Sequence, residues 1–175
     1  MNRKTILTAL SLIVLSAVVL AACGVSWQTL DKGAFKIDMP GTPKEQTQTI
    51  PTPAGPITAI MYSAEAKGEA FLVGYSDYPA SLANTDPEML FNAGRDNAMR
   101  SVSGKITSER SITLNGKPGK EFVGDATRPQ EGTMTVRIYW VSPRIYTVIY
   151  IRPKGAAASE NGEKFLNSFQ LTGGK

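Results

Sequence analysis

Residues 133–151, TMTVRIYWVSPRIYTVIYI, decide the fold, because they hold two apolar alternations broken by one turn. Met134, Val136, Ile138 and Trp140 recur at every second position, the period at which strand side chains share a face. After Ser142-Pro143, Ile145, Thr147, Ile149 and Ile151 alternate with Tyr146, Val148 and Tyr150, so the second strand is apolar on both sides. Thr135, Tyr139 and Val141 give the first strand a second apolar face as well. A sheet with two such faces needs cover on both.

Working outward, the spacing predicts further strands near 121–127 and 106–114, joined by Asn115-Gly116, a pair that tolerates positive φ in a tight hairpin. Earlier strands are expected at 35–39, 45–50, 57–64 and 70–78. Pro40-Gly41, the Pro-rich stretch 51–56 and the Lys67-Gly68 region turn the chain between them. Two helices supply the cover. One runs from Pro87 to Val102 behind an Asp86 cap, with Leu90, Phe91, Ala93, Gly94, Ala98 and Val102 inward. The other, about 157–169, buries Phe165, Leu166 and Phe169. The expected class is α+β, with helices on an antiparallel sheet.

Upstream lies an export signal. Arg3 and Lys4 precede an uncharged apolar run from Ile6 to Ala22, and the chain's one cysteine follows at position 23. Leu20-Ala21-Ala22-Cys23 resembles the lipobox of bacterial lipoproteins. That resemblance implies cleavage between Ala22 and Cys23, with diacylglyceryl on the Cys23 sulfur and palmitate-type acyl chains. Stable anchoring needs more than one such chain. A retained membrane anchor is the competing reading, since the run approaches spanning length. The organisation expected is a signal peptide over 1–22, a lipidated N-terminus and tether over 23–34, and a single domain over 35–171. The domain would face the extracytoplasmic side of a cell membrane or outer membrane, as a periplasmic or other cell-envelope protein. Trp27 could sit at the membrane interface or dock on the domain.

Phe35-Lys36-Ile37-Asp38-Met39-Pro40-Gly41-Thr42-Pro43 opens the domain in a way that resembles the PsbP-like family. The ending is similar too, in Arg137-Ile138-Tyr139, Arg144-Ile145-Tyr146-Thr147-Val148 and Lys164-Phe165-Leu166-Asn167-Ser168-Phe169. The resemblance implies an α/β/α sandwich with a central antiparallel sheet, and members that bind or help assemble other proteins without catalysing a reaction. Photosynthetic members act at photosystem II, and some carry metal-binding histidines. This chain has no histidine, so no metal or cofactor role is carried over.

Chemistry is sparse. The commonest general base is missing, and the one thiol is expected to be acylated. No Gly-x-Ser-x-Gly elbow, P-loop or Ca²⁺ loop spacing occurs. Gly74-Tyr75-Ser76-Asp77-Tyr78 begins like an elbow but lacks its second glycine. Without Arg3 and Lys4 the charge is 17 basic against 15 acidic residues, too balanced for a nucleic-acid reader. Arg128, Arg137, Arg144, Arg152 and Lys154 gather late in the chain, as solvent faces of strands do. Trp140, Tyr139, Tyr146 and Tyr150 could line a groove, but packing is the expected use. The function expected is a non-catalytic module for a protein partner, held at a membrane by its lipid. The alternative is a carrier of a small apolar or lipid ligand, seated between sheet and helix beside Ala93, Gly94 and Ala98.

Overall fold

In a computed structural model, the structure describes residues 24–50 and 55–173. Among the described residues, ten strands and two α-helices form the domain, in the order β1 (Trp27–Asp31), β2 (Phe35–Pro40), β3 (Lys44–Ile50), β4 (Ile57–Ala66), β5 (Glu69–Asp77), α1 (Pro87–Ser101), β6 (Lys105–Leu114), β7 (Lys117–Ala126), β8 (Gly132–Val141), β9 (Arg144–Arg152), α2 (Glu160–Ser168) and β10 (Gln170–Leu171). Seven strands make one antiparallel sheet in the order β3-β4-β5-β9-β8-β7-β6, and β1-β2-β10 make a second, small one. The most apolar strands, β8 and β9, sit inside the large sheet, as their two-faced patterning requires.

Each face has its own core. On one, Met134, Val136, Ile138, Trp140 and Ile145 pack with Phe91 and Met99 of α1 and Phe122 of β7. On the other, Tyr139, Tyr146, Val148 and Tyr150 pack with Phe165, Leu166 and Phe169 from α2 and its end, and with Phe35, Ile37 and Met39 of β2. The cover on this second face is therefore a helix plus a small sheet, not a helix alone. Among the described residues, both cores are built from positions within 27–171.

Local chemistry sets the ends. Asp86 accepts a hydrogen bond from the Glu88 amide at 3.0 Å, and Pro87 occupies the first turn of α1. Asn115 and Gly116 both take positive φ, and so do Lys67 and Gly68, giving two tight hairpins.

Two readings of the sequence change. Residues 24–34, expected as a tether, contain β1, which pairs with β2 from Trp27↔Pro40 to Asp31↔Lys36. Alternation was hard to see there because only one polar-rich edge strand of five residues is involved. In α1 the expected inward residues Leu90, Phe91, Gly94, Ala98 and Val102 do face the core, but Ala93 is exposed and Met99 is buried in addition. The reason is Lys120, which is buried beneath the helix and bonded to Glu88 at 2.7 Å and Asn92 at 2.8 Å, drawing that polar side toward the sheet.

Candidate functional site

Cys23 and Ala22, the expected lipidation and cleavage residues, lie outside the described residues. The first described segment is short. Gly24, Val25 and Ser26 lead into β1, and Ser26 already accepts a hydrogen bond from the Gly41 amide at 2.7 Å. Trp27 docks on the domain: its ring meets Phe71 edge-on at 6.0 Å, and the Lys164 ammonium lies 4.4 Å above it.

The aromatic groove is not formed. Trp140, Tyr139, Tyr146 and Tyr150 are all buried in the two cores. Burial pushes the Tyr139 hydroxyl above its ordinary pKa, and it does the same to Tyr150, helped there by the Glu69 carboxylate. The elbow-like stretch lies in β5, where Asp77 receives a two-pronged ion pair from Arg144, whose guanidinium also lies 4.1 Å over the Tyr75 ring.

The late cations are mostly engaged. Arg137 donates to Glu121 at 2.7 Å and to the Leu166 carbonyl at 2.7 Å, tying β8 to the end of α2. Arg152 donates to Thr135 Oγ1 at 3.1 Å and to the Ala156 carbonyl at 2.9 Å. Lys154 pairs with Glu131 at 3.0 Å. The Arg128 side chain makes no hydrogen bond or ion pair among the described residues.

Burial would raise the Glu121 carboxyl, but Arg110 and Arg137 outweigh it and hold the carboxyl below its ordinary value of 4.5. A group lowered on folding stabilises the fold fully above its unfolded pKa, and loses that contribution as pH falls through the folded value. We expect Glu121→Gln to cost about 1–2 kcal/mol near neutrality, where Arg137 loses its charged acceptor. Its melting temperature should also fall less steeply than the wild type's between pH 6 and pH 3. Parallel pH profiles in thermal melts would contradict this.

A buried polar node was missed in the sequence. Glu69 accepts from the Tyr150 hydroxyl and from Ser159 Oγ at 2.9 Å, while Ser159 caps α2 by accepting from the Gly162 amide at 3.0 Å. Ser159 preceding an amphipathic helix signals the cap, but Glu69 shows no pattern because its partners are about ninety residues away.

Against the sheet, beside the Val102 cap that follows α1, a cleft of about 450 Å³ opens. Its floor is Ala70, Ala126, Met134 and Ile151, and its far lips carry Glu65 on β4 and the 128–132 loop between β7 and β8. Ala70 opposes Ile151, and Ile151 opposes Met134, so these three form one cross-strand row on the α1 side, with Ala126 two residues beyond Met134's partner Gly124. The cavity is not where the small residues of α1 suggested. A Cβ on Gly94 would stand 3.3 Å from Ile138 Cδ1, so that region is closed. Among the described residues, no helix is long and apolar enough to cross a membrane, and no group of three metal-ligating side chains gathers.

No family model matches the sequence, and no curated protein does. The structure is similar to cyanobacterial PsbP (CyanoP) from Synechocystis sp. PCC 6803, at 10% identity and a TM-score of 0.59, over 87% of this chain and 98% of that one. It is also similar to the Ran-binding protein Mog1p of Saccharomyces cerevisiae, at 9% identity and a TM-score of 0.51, over 85% of this chain and 97% of that one. At these identities the likeness establishes the fold: a sheet-dominated domain of the PsbP and Mog1 kind.

Proposed function

We propose that the chain is an exported lipoprotein, anchored through Cys23, whose domain is a non-catalytic binding or assembly module for a protein partner at the membrane surface. The observation that carries this reading is the position of Cys23. Its lipobox-like context ends only Gly24, Val25 and Ser26 before β1, a span of roughly 10 Å at full extension. A lipid there holds the domain close against the membrane, where a partner in or on the same membrane meets it at high effective concentration. The fold is compatible with a binding role, since a yeast protein that shares it is a Ran-binding protein. Fold alone transmits neither the partner nor the activity.

The test uses the full chain in its native membranes, with a photo-reactive residue in place of Met89, which is 65% exposed on α1. A discrete adduct with one envelope protein, lost when Cys23→Ala frees the domain, is the expected result. Absence of any adduct from Met89 or from β3 at the opposite edge, together with hydrolytic turnover by the purified chain, would overturn the reading.

A second reading is favoured by one observation. The cleft of about 450 Å³ falls within the 300–1,000 Å³ range of small-molecule sites, so a carrier of an apolar or lipid ligand has a place to hold it. The site lies at the end of α1 rather than beneath its middle.

A further inference from the structure

We propose that this cleft takes a single-chain amphiphile with an anionic head, a long-chain carboxylate, its head at Arg128 and its tail along the sheet. The inference rests on the carrier reading and adds the chemical class of the ligand.

The tail has a continuous apolar track. Successive inward positions on one face of a strand are two residues apart. From Ala70 and Ile151 the same face therefore continues to the pair Leu72 and Ile149. Both are only partly buried; Ile149 flanks the α1-side core and Leu72 belongs to neither core, so the track runs along the margin of that core. Beyond it Met61 lies against Gly74, whose missing side chain leaves room for the Met61 sulfur at 2.9 Å from an ideal Cβ. Ala70 to Gly74 spans about 13 Å of strand, a run suited to an extended hydrocarbon chain rather than to a compact ligand.

The charges set the direction. Arg128 stands at the β7–β8 lip, exposed and unpaired among the described residues. The other charges near that lip are occupied: Glu131 is held by Lys154, and the Arg152 guanidinium reaches Thr135 and Ala156. Glu69 edges the cleft, but its carboxylate is bonded to Tyr150 and Ser159 in the core of the opposite face. The opposite lip carries Glu65, on β4 beside Ala70 and about 19 Å across the sheet from β7, four strand spacings away. An anion is thus drawn to the β7–β8 side of the cleft and repelled from the β4 side, while the apolar floor between them excludes a ligand charged along its length.

The experiment uses the mature chain from residue 23 with Cys23→Ser, which retains both cores and carries no acyl group to compete. Dodecanoate, dodecanol and dodecyltrimethylammonium are titrated below their micellar concentrations, and the methyl resonances of Met134, Ile151 and Leu72 are followed. Expected are saturable shifts at these methyls, with dodecanoate bound roughly tenfold more tightly than dodecanol, the gain of one charge-assisted contact. Arg128→Gln should erase that difference, Arg128→Lys should keep most of it, and Ala70→Trp should abolish binding of all three. Should Ala70→Trp fail to fold, the surface change Arg128→Gln still decides. Equal binding of dodecanoate and dodecanol, or an unaltered Arg128→Gln, overturns the anionic head and leaves the carrier reading standing. No saturable binding of any amphiphile, or shifts scattered away from the cleft, overturns both.

Discussion

Phe35→Ala is expected to destabilise the domain by about 3–5 kcal/mol, the cost of emptying a fully buried phenylalanine site that its neighbours refill only in part. Phe35 has no exposed surface, and its ring lies 5.7 Å from both Tyr146 and Phe169, 6.2 Å from Tyr75 and 6.4 Å from Tyr62. Those rings come from β4, β5, β9 and the end of α2, so the substitution loosens the small sheet from the large one. A domain of this size is typically stable by only 5–15 kcal/mol, and the melting temperature should fall by roughly 10 °C. Met89→Ala, at an exposed site on α1, should change stability by less than about 0.5 kcal/mol. Denaturant unfolding of the three proteins checks this, and a Phe35→Ala cost below about 1 kcal/mol would mean that the small sheet is not seated on the core.

Gly162→Ala should destabilise by roughly 2–3 kcal/mol, although replacing a helical glycine by alanine ordinarily stabilises by about 1 kcal/mol. The sign reverses because a Cβ at Gly162 would stand 2.2 Å from Tyr150 Cζ. That ring has little freedom to retreat: its hydroxyl is bonded to Glu69 and Ser159, and its face is packed against Phe71 at 5.6 Å. Combining Gly162→Ala with Tyr150→Leu removes the clash, so the double variant should be more stable than the sum of the single losses. Stabilisation by Gly162→Ala alone would show that α2 sits farther from β9 than described.

Most of the fold was legible because it rests on local signals. Strands β8 and β9 carry two apolar faces, Asn115-Gly116 names a hairpin, and Asp86-Pro87 starts α1. What escaped was set at a distance. β1 reads as linker until Phe35–Pro40 is beside it, since a polar edge strand is made by its neighbour's hydrogen bonds rather than by its own pattern. The inward placement of Met99 follows from Lys120, a residue on another element that pulls Glu88 and Asn92 toward the sheet. The cleft was invisible for the same reason. Its floor joins Ala70, Ala126, Met134 and Ile151 from four strands, and no spacing in the chain relates them. The aromatics of β8 and β9, by contrast, sit in the core as their alternation predicts, because side chains on a central strand covered on both faces have nowhere else to go.

The proposed lipid anchor at Cys23 would set where the domain works, and one measurement addresses it. The intact mass of the protein purified from its native membranes is compared with that of Cys23→Ala. The account predicts a mature chain beginning at Cys23 and carrying diacylglyceryl with or without a further acyl chain, an addition absent from the variant. A mass that retains residues 1–22 without lipid would contradict it and make the leader a membrane anchor instead.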